Sequence, residues 1–225
     1  MSRNLYALIV AGGAGKRMGT EVPKQFLELA GKSVLMHTID RFRSFDNSIR
    51  IITVIPEDQF KHWEALLKKY SFSTPHTVIK GGSSRFMSVK NGLEIVVKTG
   101  LVAIHDGVRP FVSSGTIKRC FEAAEKYGNA IPVINNTNSL RLLTEQGSIP
   151  VNRKHIMLVQ TPQVFKTELI KKAYSQDYCE DFTDDATVLE KTGAVIHLVE
   201  GNRENIKITN PEDLLIASAL MSAWT

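Results

Sequence analysis

Three cations, Lys16, Arg17 and Lys24, are carried by a glycine-rich stretch, AGGAGKRMGTEVPKQ at residues 11–25, that follows directly on the apolar run Leu5 to Val10. Glycines let backbone N–H groups come close to an anion, and the cations add charge that a bare loop lacks, so the chemistry on offer is phosphate binding. A Walker loop needs Lys followed by Ser or Thr; here Lys16 is followed by Arg17, and that reading fails. A dinucleotide fingerprint keeps Gly13 and Gly15 but meets Met18 where its third glycine belongs, and no acidic residue ends a second strand at the expected distance. A tight turn with no ligand also explains the glycines, but not the cations around them.

Two further loops are chemically loaded. Gly81-Gly82-Ser83-Ser84-Arg85 runs into a helical pattern holding Ser88, so backbone donors and hydroxyls meet at a helix N-terminus, where a base or a phosphate fits; a capped Gly-Gly turn is the plain alternative. His105-Asp106-Gly107-Val108-Arg109-Pro110 puts a carboxylate at the end of an apolar strand with an arginine three residues on. Asp106 is then either the partner of Arg109 in a salt bridge or a metal or hydroxyl ligand beside an arginine phosphate clamp. His105 has no partner fixed by spacing and is expected to pack rather than react. Thr161-Pro162-Gln163, Thr183-Asp184-Asp185 and Asn205-Ile206-Lys207-Ile208-Thr209 place polar groups at element boundaries; singly they read as caps, with Thr183 the N-cap of the helix that follows and Lys207 an exposed strand residue. Ser/His/Asp order, HExxH and metal-cage spacing are all missing, which leaves nucleophilic or zinc-assisted hydrolysis unsupported.

The elements that must position these groups alternate. LYALIV, IRIITVIP at 49–56, TVIK at 77–80 and LVAIHD at 101–106 read as apolar strands, separated by helical patterns over 33–45, to about Tyr70, and over 85–97. Such alternation predicts an α/β fold, a Rossmann-like, mostly parallel twisted sheet with helices on both faces, whose ligands sit at the carboxyl ends of the strands. Helices are expected near 167–175 and 184–192, strands over AVIHLVEG and NIKI, and a closing helix after Pro211. The polar, turn-bearing stretch at about 135–160 suits a β-hairpin arm projecting from a single domain of residues 1–225, and such an arm suits a partner subunit.

With 43% hydrophobic and 23% charged residues the chain is ordinary for one globular domain. Its net charge of +5 is spread along the sequence, without the basic run or interleaved aromatics of a nucleic-acid binder, and a polyanionic small substrate explains it as well. Cys120 and Cys179 show no metal or redox spacing, MSRNLYALIV lacks signal-peptide features, and no apolar run has the length of a membrane span. The expectation is a cytoplasmic enzyme that engages neither membrane nor nucleic acid.

AGGAGKRMG with PKQ, GGSSRFMSV, HDGVRP, QTPQ, TDDA and VEGNRENIKIT, in this order over nearly the whole chain, resemble the 2-C-methyl-D-erythritol 4-phosphate cytidylyltransferase family of the non-mevalonate isoprenoid pathway. The resemblance implies CTP as co-substrate, a requirement for Mg²⁺, and a homodimer joined by the arms. It places Arg17 and Lys24 on the triphosphate as catalytic cations, and Ala11, Gly12, Gly13, Ala14, Gly15, Gly82 and Ser88 around CTP. It assigns Asp106, Arg109, Thr161 and Lys207 to the acceptor, with Asp106 the one candidate metal ligand, and presents Arg153 to the neighbouring subunit's site. Ser83 stands where the family often has an acidic residue, and after Pro132-Val133 the run INNTNS leaves Thr137 and Ser139 competing for one acceptor contact. D-ribitol-5-phosphate cytidylyltransferases resemble the chain in the glycine loop and HDGVRPF, whereas GGSSRFMSV and TDDA favour methylerythritol phosphate. Rival readings of other classes are an NADP-dependent oxidoreductase, suggested by Gly13 and Gly15, and a nucleotide sensor without turnover.

Overall fold

A computed structural model describes residues 4–13 and 22–223. In chain order these form β1 (Leu5–Val10), β2 (Glu28–Leu29), β3 (Lys32–Ser33), α1 (Val34–Phe45), β4 (Arg50–Ile55), α2 (Phe60–Lys69) and β5 (Thr77–Lys80). There follow α3 (Arg85–Glu94), β6 (Leu101–Asp106), α4 (Ser114–Tyr127), β7 (Asn129–Asn135), β8 (Leu140–Thr144), β9 (Gly147–Val151), β10 (Met157–Val159), β11 (Gln163–Lys166), α5 (Thr167–Ala173), α6 (Asp185–Glu190), β12 (Leu198–Glu200) and α7 (Pro211–Ala223).

The main sheet runs β10-β7-β11-β6-β1-β4-β5, with β12 also on β7; β6, β1, β4 and β5 are mutually parallel and β11 enters antiparallel between β6 and β7. Burial of β1 from Tyr6 on and of all of β6 explains their apolar runs, since a strand covered on both faces has no solvent side to make polar. α1, α2 and α4 supply Leu35, Ile39, Phe42, Trp63, Ile117 and Phe121 to the core on one face. α3, α5 and α6 cover the other with Phe86, Val89, Leu93, Ile170, Val188 and Leu189. Local signals set the helix ends: the Ser33 and Ser113 hydroxyls accept from the N–H groups of Met36 and Thr116, and Gly128, at φ 95°, ends α4 in the left-handed region.

The chain leaves β1 for β4 and β5 on one side and returns to β6 on the other, so the loops at the carboxyl ends diverge around β1. Val10 pairs with both Val54 and Asp106, and Ile55 with Lys80. Each strand is then extended by one bond: Ala11 N–H to Val54 O, Gly107 N–H to Val10 O and Gly81 N–H to Ile55 O, all 2.8 Å. The three loops singled out in the sequence are thereby brought side by side.

Four local expectations are corrected. The helix from Arg85 stops at Glu94, where Val96 turns into the core and leaves Val97 exposed. AVIHLVEG forms a strand only at β12, because the Asn129 side chain donates to Val195 O (2.9 Å) and accepts from His197 N–H (2.9 Å), replacing a strand neighbour. NIKI is no strand; a turn closed by Asn205 N–H on Asn202 O leads into it, and Ile208 N–H reaches Val108 O. The N-cap of α6 is Asp184 rather than Thr183, since Asp184 and Thr187 form a reciprocal capping box. β8 and β9 make a two-stranded sheet of their own, paired from Leu140–Val151 to Thr144–Gly147, with Gly147 at φ 133° where β9 leaves the turn and Leu142, Leu143 and Ile149 exposed.

Candidate active site

Asp106 ends β6 inside the protein, and burying a lone carboxylate is costly unless cations and donors meet it. Three do. Arg109 Nε and Lys207 Nζ each lie 3.1 Å from Oδ2, and Arg85 Nε lies 3.7 Å from Oδ1. Burial on its own would raise the carboxyl; Arg85, Lys207 and Arg109 outweigh it and hold the group well below the usual carboxylate range.

Each cation is itself held. Arg109 follows Asp106 through a turn closed by its N–H on Asp106 O, and its Nη1 donates to Asn205 O at 2.8 Å. Lys207 is delivered by the irregular segment after β12, where Asn202 ties down the loop by donating to Phe111 O (2.9 Å) and accepting from Ser113 N–H (3.1 Å). Arg85 opens α3 behind the Ser84 cap and makes a two-pronged contact to Asp185, Nη1 to Oδ1 at 2.8 Å and Nη2 to Oδ2 at 2.7 Å. Asp185 is fully buried and also accepts from the Tyr174 phenol at 2.6 Å. Burial and the neighbouring Asp185 push that phenol well above its ordinary value, so it stays a donor.

The ring of charge separates two cavities. The larger, about 280 Å³, is lined by Ala11, Gly12, Gly13, Lys24, Gly82, Ser83 and Ser88. Arg109, Gln160, Thr161, Gln163, Thr183 and Asp184 line the smaller, about 150 Å³. Arg85, Asp106 and Lys207 face both. Lys24 sits in a 3-10 turn anchored by its neighbours: the Gln25 amide donates to Ala11 O at 2.8 Å and Phe26 stacks on Trp63. A side chain at Gly82 would collide with Met87, so only bare backbone fits there. Ser88 lines the cavity with its hydroxyl already engaged, accepting from Gly82 N–H (3.0 Å) and donating to Ser84 O (2.9 Å); it shapes the glycine turn.

His105 is buried with both ring nitrogens bonded, Nε2 to Arg109 O (3.1 Å) and Nδ1 to Thr161 Oγ1 (2.9 Å). Burial brings its pKa down to about 4, so the ring is neutral near pH 7. The structure thus gathers Ala11, Gly12, Gly13, Lys24, Gly82, Ser88, Asp106, Arg109, Thr161 and Lys207 at one end of the sheet. Ala14, Gly15 and Arg17 lie outside the described residues. Arg153 lines neither cavity and donates from Nη1 to Thr137 O at 2.6 Å at the base of the hairpin; Thr137 and Ser139 line neither cavity.

Arg85 and Asp185 carry site architecture that their separate segments did not disclose. The signal was present: a second carboxylate at Asp185 heads a buried face of Ala186, Val188 and Leu189, where an acid needs a partner. Gln25, Gln160, Gln163 and Asn205 escaped for a different reason, since neutral amides leave no charge pattern. Gln163 clamps the start of α6, donating to Asp184 Oδ2 (2.7 Å) and accepting from Ala186 N–H (2.9 Å).

Among the described residues no group of three His, Cys, Asp or Glu side chains could hold a metal ion. Asp106, ringed by three cations, does not fit a resident Mg²⁺ site. The arrangement suits a polyanion in the glycine-lined cavity and a second, hydroxylated or anionic group beyond Asp106.

A sequence model of the 2-C-methyl-D-erythritol 4-phosphate cytidylyltransferase family matches residues 5–223. The chain is 54% identical over 214 residues to the protein of that name from Bacteroides thetaiotaomicron, covering 95% of this chain and 98% of the relative. It is 48% identical over 224 residues to the one from Porphyromonas gingivalis, covering 99% and 100%. Among solved structures it is similar to 4-diphosphocytidyl-2C-methyl-D-erythritol synthase from Anaerococcus prevotii, at a TM-score of 0.82, 28% identity and coverage of 98% and 96%. The 2-C-methyl-D-erythritol 4-phosphate cytidylyltransferase of Thermus thermophilus superposes at a TM-score of 0.77, with 30% identity over 97% of this chain and 99% of that one.

Proposed function

This chain belongs to the 2-C-methyl-D-erythritol 4-phosphate cytidylyltransferase family, and from that membership we propose that it transfers CMP from CTP to 2-C-methyl-D-erythritol 4-phosphate and releases pyrophosphate. The observation that carries the reading is the pair of cavities sharing Arg85, Asp106 and Lys207, a nucleotide side and an acceptor side meeting at one charged ring.

CTP occupies the glycine-lined cavity, its triphosphate beside Lys24 and Lys207 and its cytidine against Gly82 and the backbone of Ala11 to Gly13. Arg17, Ala14 and Gly15, which lie outside the described residues, are assigned to CTP as well. The acceptor lies across Asp106, which accepts a hydrogen bond from one of its hydroxyls, while Arg109 and Lys207 balance the acceptor phosphate. A phosphate oxygen of the acceptor attacks the α-phosphorus of CTP; the new O–P bond forms in line as the bond to the bridging pyrophosphate oxygen breaks. The acceptor phosphate is already ionised near pH 7, so no general base is required, and catalysis is charge neutralisation and alignment. Magnesium enters as the magnesium complex of CTP, the substrate form. Calorimetry should show saturable binding of CTP with Mg²⁺ and none of NADPH; NADPH binding without CTP binding would contradict the transferase reading.

The active assembly is a homodimer whose arms exchange at about residues 135–160, each giving Arg153 to the neighbour's acceptor side. Exposed Leu142, Leu143 and Ile149 on the hairpin support this, since a projecting apolar ribbon needs cover. Replacing residues 141–150 by a short glycine linker should yield a monomer by light scattering with less than a tenth of the turnover; an active monomer would sink the arm's role. Residues 1–225 act as one domain in the cytoplasm. Two free cysteines support that location, and no helix among the described residues is long and apolar enough to cross a membrane.

A further inference from the structure

At the wall of the acceptor side lies a hydrogen-bond circuit that runs from Asp106, Thr161 and Arg109, which line the smaller cavity, back to the buried His105. Arg109 O can only accept, so His105 Nε2 carries the hydrogen of the neutral ring and Nδ1 presents a lone pair. Thr161 Oγ1, 2.9 Å from Nδ1, therefore donates to it, and the same oxygen accepts from Asp106 N–H at 3.1 Å. The direction of every bond is fixed, from the Asp106 amide through Thr161 and the imidazole to the Arg109 carbonyl. Asn205 closes the circuit from the other side: its Nδ2 donates to Thr161 O at 2.8 Å, and its own carbonyl accepts from Arg109 Nη1 at 2.8 Å. Phe42 meets the imidazole edge-on, with ring centroids 5.1 Å apart, and both rings are fully buried.

We propose that His105 and Thr161 are positioning residues that act as one unit, holding the main chain of Asp106 and Arg109 at the spacing the acceptor requires while leaving the nucleotide side untouched. The inference rests on the cytidylyl-transfer reading. Its physical basis is that the carboxylate and the guanidinium both hang from a single turn, closed by Arg109 N–H on Asp106 O, whose two ends this circuit ties a second time through side chains. Loosening either bond lets both groups drift together, and alignment of the acceptor oxygen suffers before CTP binding does.

The test is steady-state kinetics on Thr161→Val, His105→Phe and the double variant, with Thr161→Ser as the hydroxyl-retaining control. The first two should each lower kcat/KM for methylerythritol phosphate about tenfold or more, the cost of an unmade buried hydrogen bond. KM for CTP should stay within about twofold, and the double variant should lose no more than the worse single one, as expected for one coupled unit. Thr161→Ser should recover most of the loss. Parallel falls in both substrates' parameters, or additive losses, would overturn the positioning role. If His105→Phe fails to fold, Thr161→Val with intact calorimetric CTP binding decides the question alone. Wild-type protein without turnover would instead overturn the functional reading, so the two failures are distinguishable.

Discussion

Lys24→Ala should lower kcat for pyrophosphate release about a hundredfold, on the order of 3 kcal/mol of transition-state stabilisation. The size follows from where the ammonium stands. It faces the glycine-lined cavity from a short turn that Gln25 and Phe26 fix to the body of the protein, so the neighbouring chain cannot move to fill the gap. Charge builds on the leaving pyrophosphate as the bond to the α-phosphorus breaks, and a fixed cation meets it without reorganisation. Because that charge is largest in the transition state, kcat and kcat/KM for CTP should fall together rather than KM alone rising. Lys24 is only half-buried, and folding should be little changed, which a melting curve checks. Turnover within about threefold of wild type would show that Lys24 has no such task.

The largest effect on stability is expected at Asp185→Ala. This carboxylate is fully buried and serves two Arg85 N–H groups and the Tyr174 hydroxyl. Removing one partner of a buried pair costs about 3–5 kcal/mol because the other charge is left uncompensated. Arg85 keeps about a third of its side chain exposed, so solvent relieves part of the loss and the lower figure, about 3 kcal/mol, applies. For a chain of this size the melting temperature should drop on the order of 10 °C. Asp185→Asn keeps one acceptor oxygen and should fall in between. A melting temperature unchanged by Asp185→Ala would mean that Arg85 does not depend on this partner. The variant should also weaken acceptor turnover, since Arg85 is one of the three cations around Asp106.

The positions of β1, β4, β5 and β6 and the convergence of the three loaded loops were legible in the sequence because parallel strands buried on both faces write themselves as apolar runs, and their exits are punctuated by glycine. The Asp106–Arg109 pairing, one of two readings open from spacing, is present, but Lys207 and Arg85 share the carboxylate from 101 residues downstream and 21 upstream, distances no local pattern encodes. β11 was missed because four residues, QVFK, carry too little periodicity to separate a strand from the helix that follows. The segment 205–208 misled for the opposite reason: Ile206 and Ile208 alternate as a strand would, yet they pack beneath α7 while the backbone between them turns Lys207 toward Asp106. Neutral amides such as Gln25 and Asn205, which hold the site together, gave no signal because their roles exist only once the chain is folded.

The central claim, cytidylyl transfer to methylerythritol phosphate across the Asp106 ring, is tested most directly by coupled measurement of pyrophosphate release from CTP and Mg²⁺ with each of two acceptors in turn. Release stoichiometric with added 2-C-methyl-D-erythritol 4-phosphate, and at least about a hundredfold slower with D-ribitol 5-phosphate, is the predicted result. Release with ribitol phosphate only, or with neither, would contradict it.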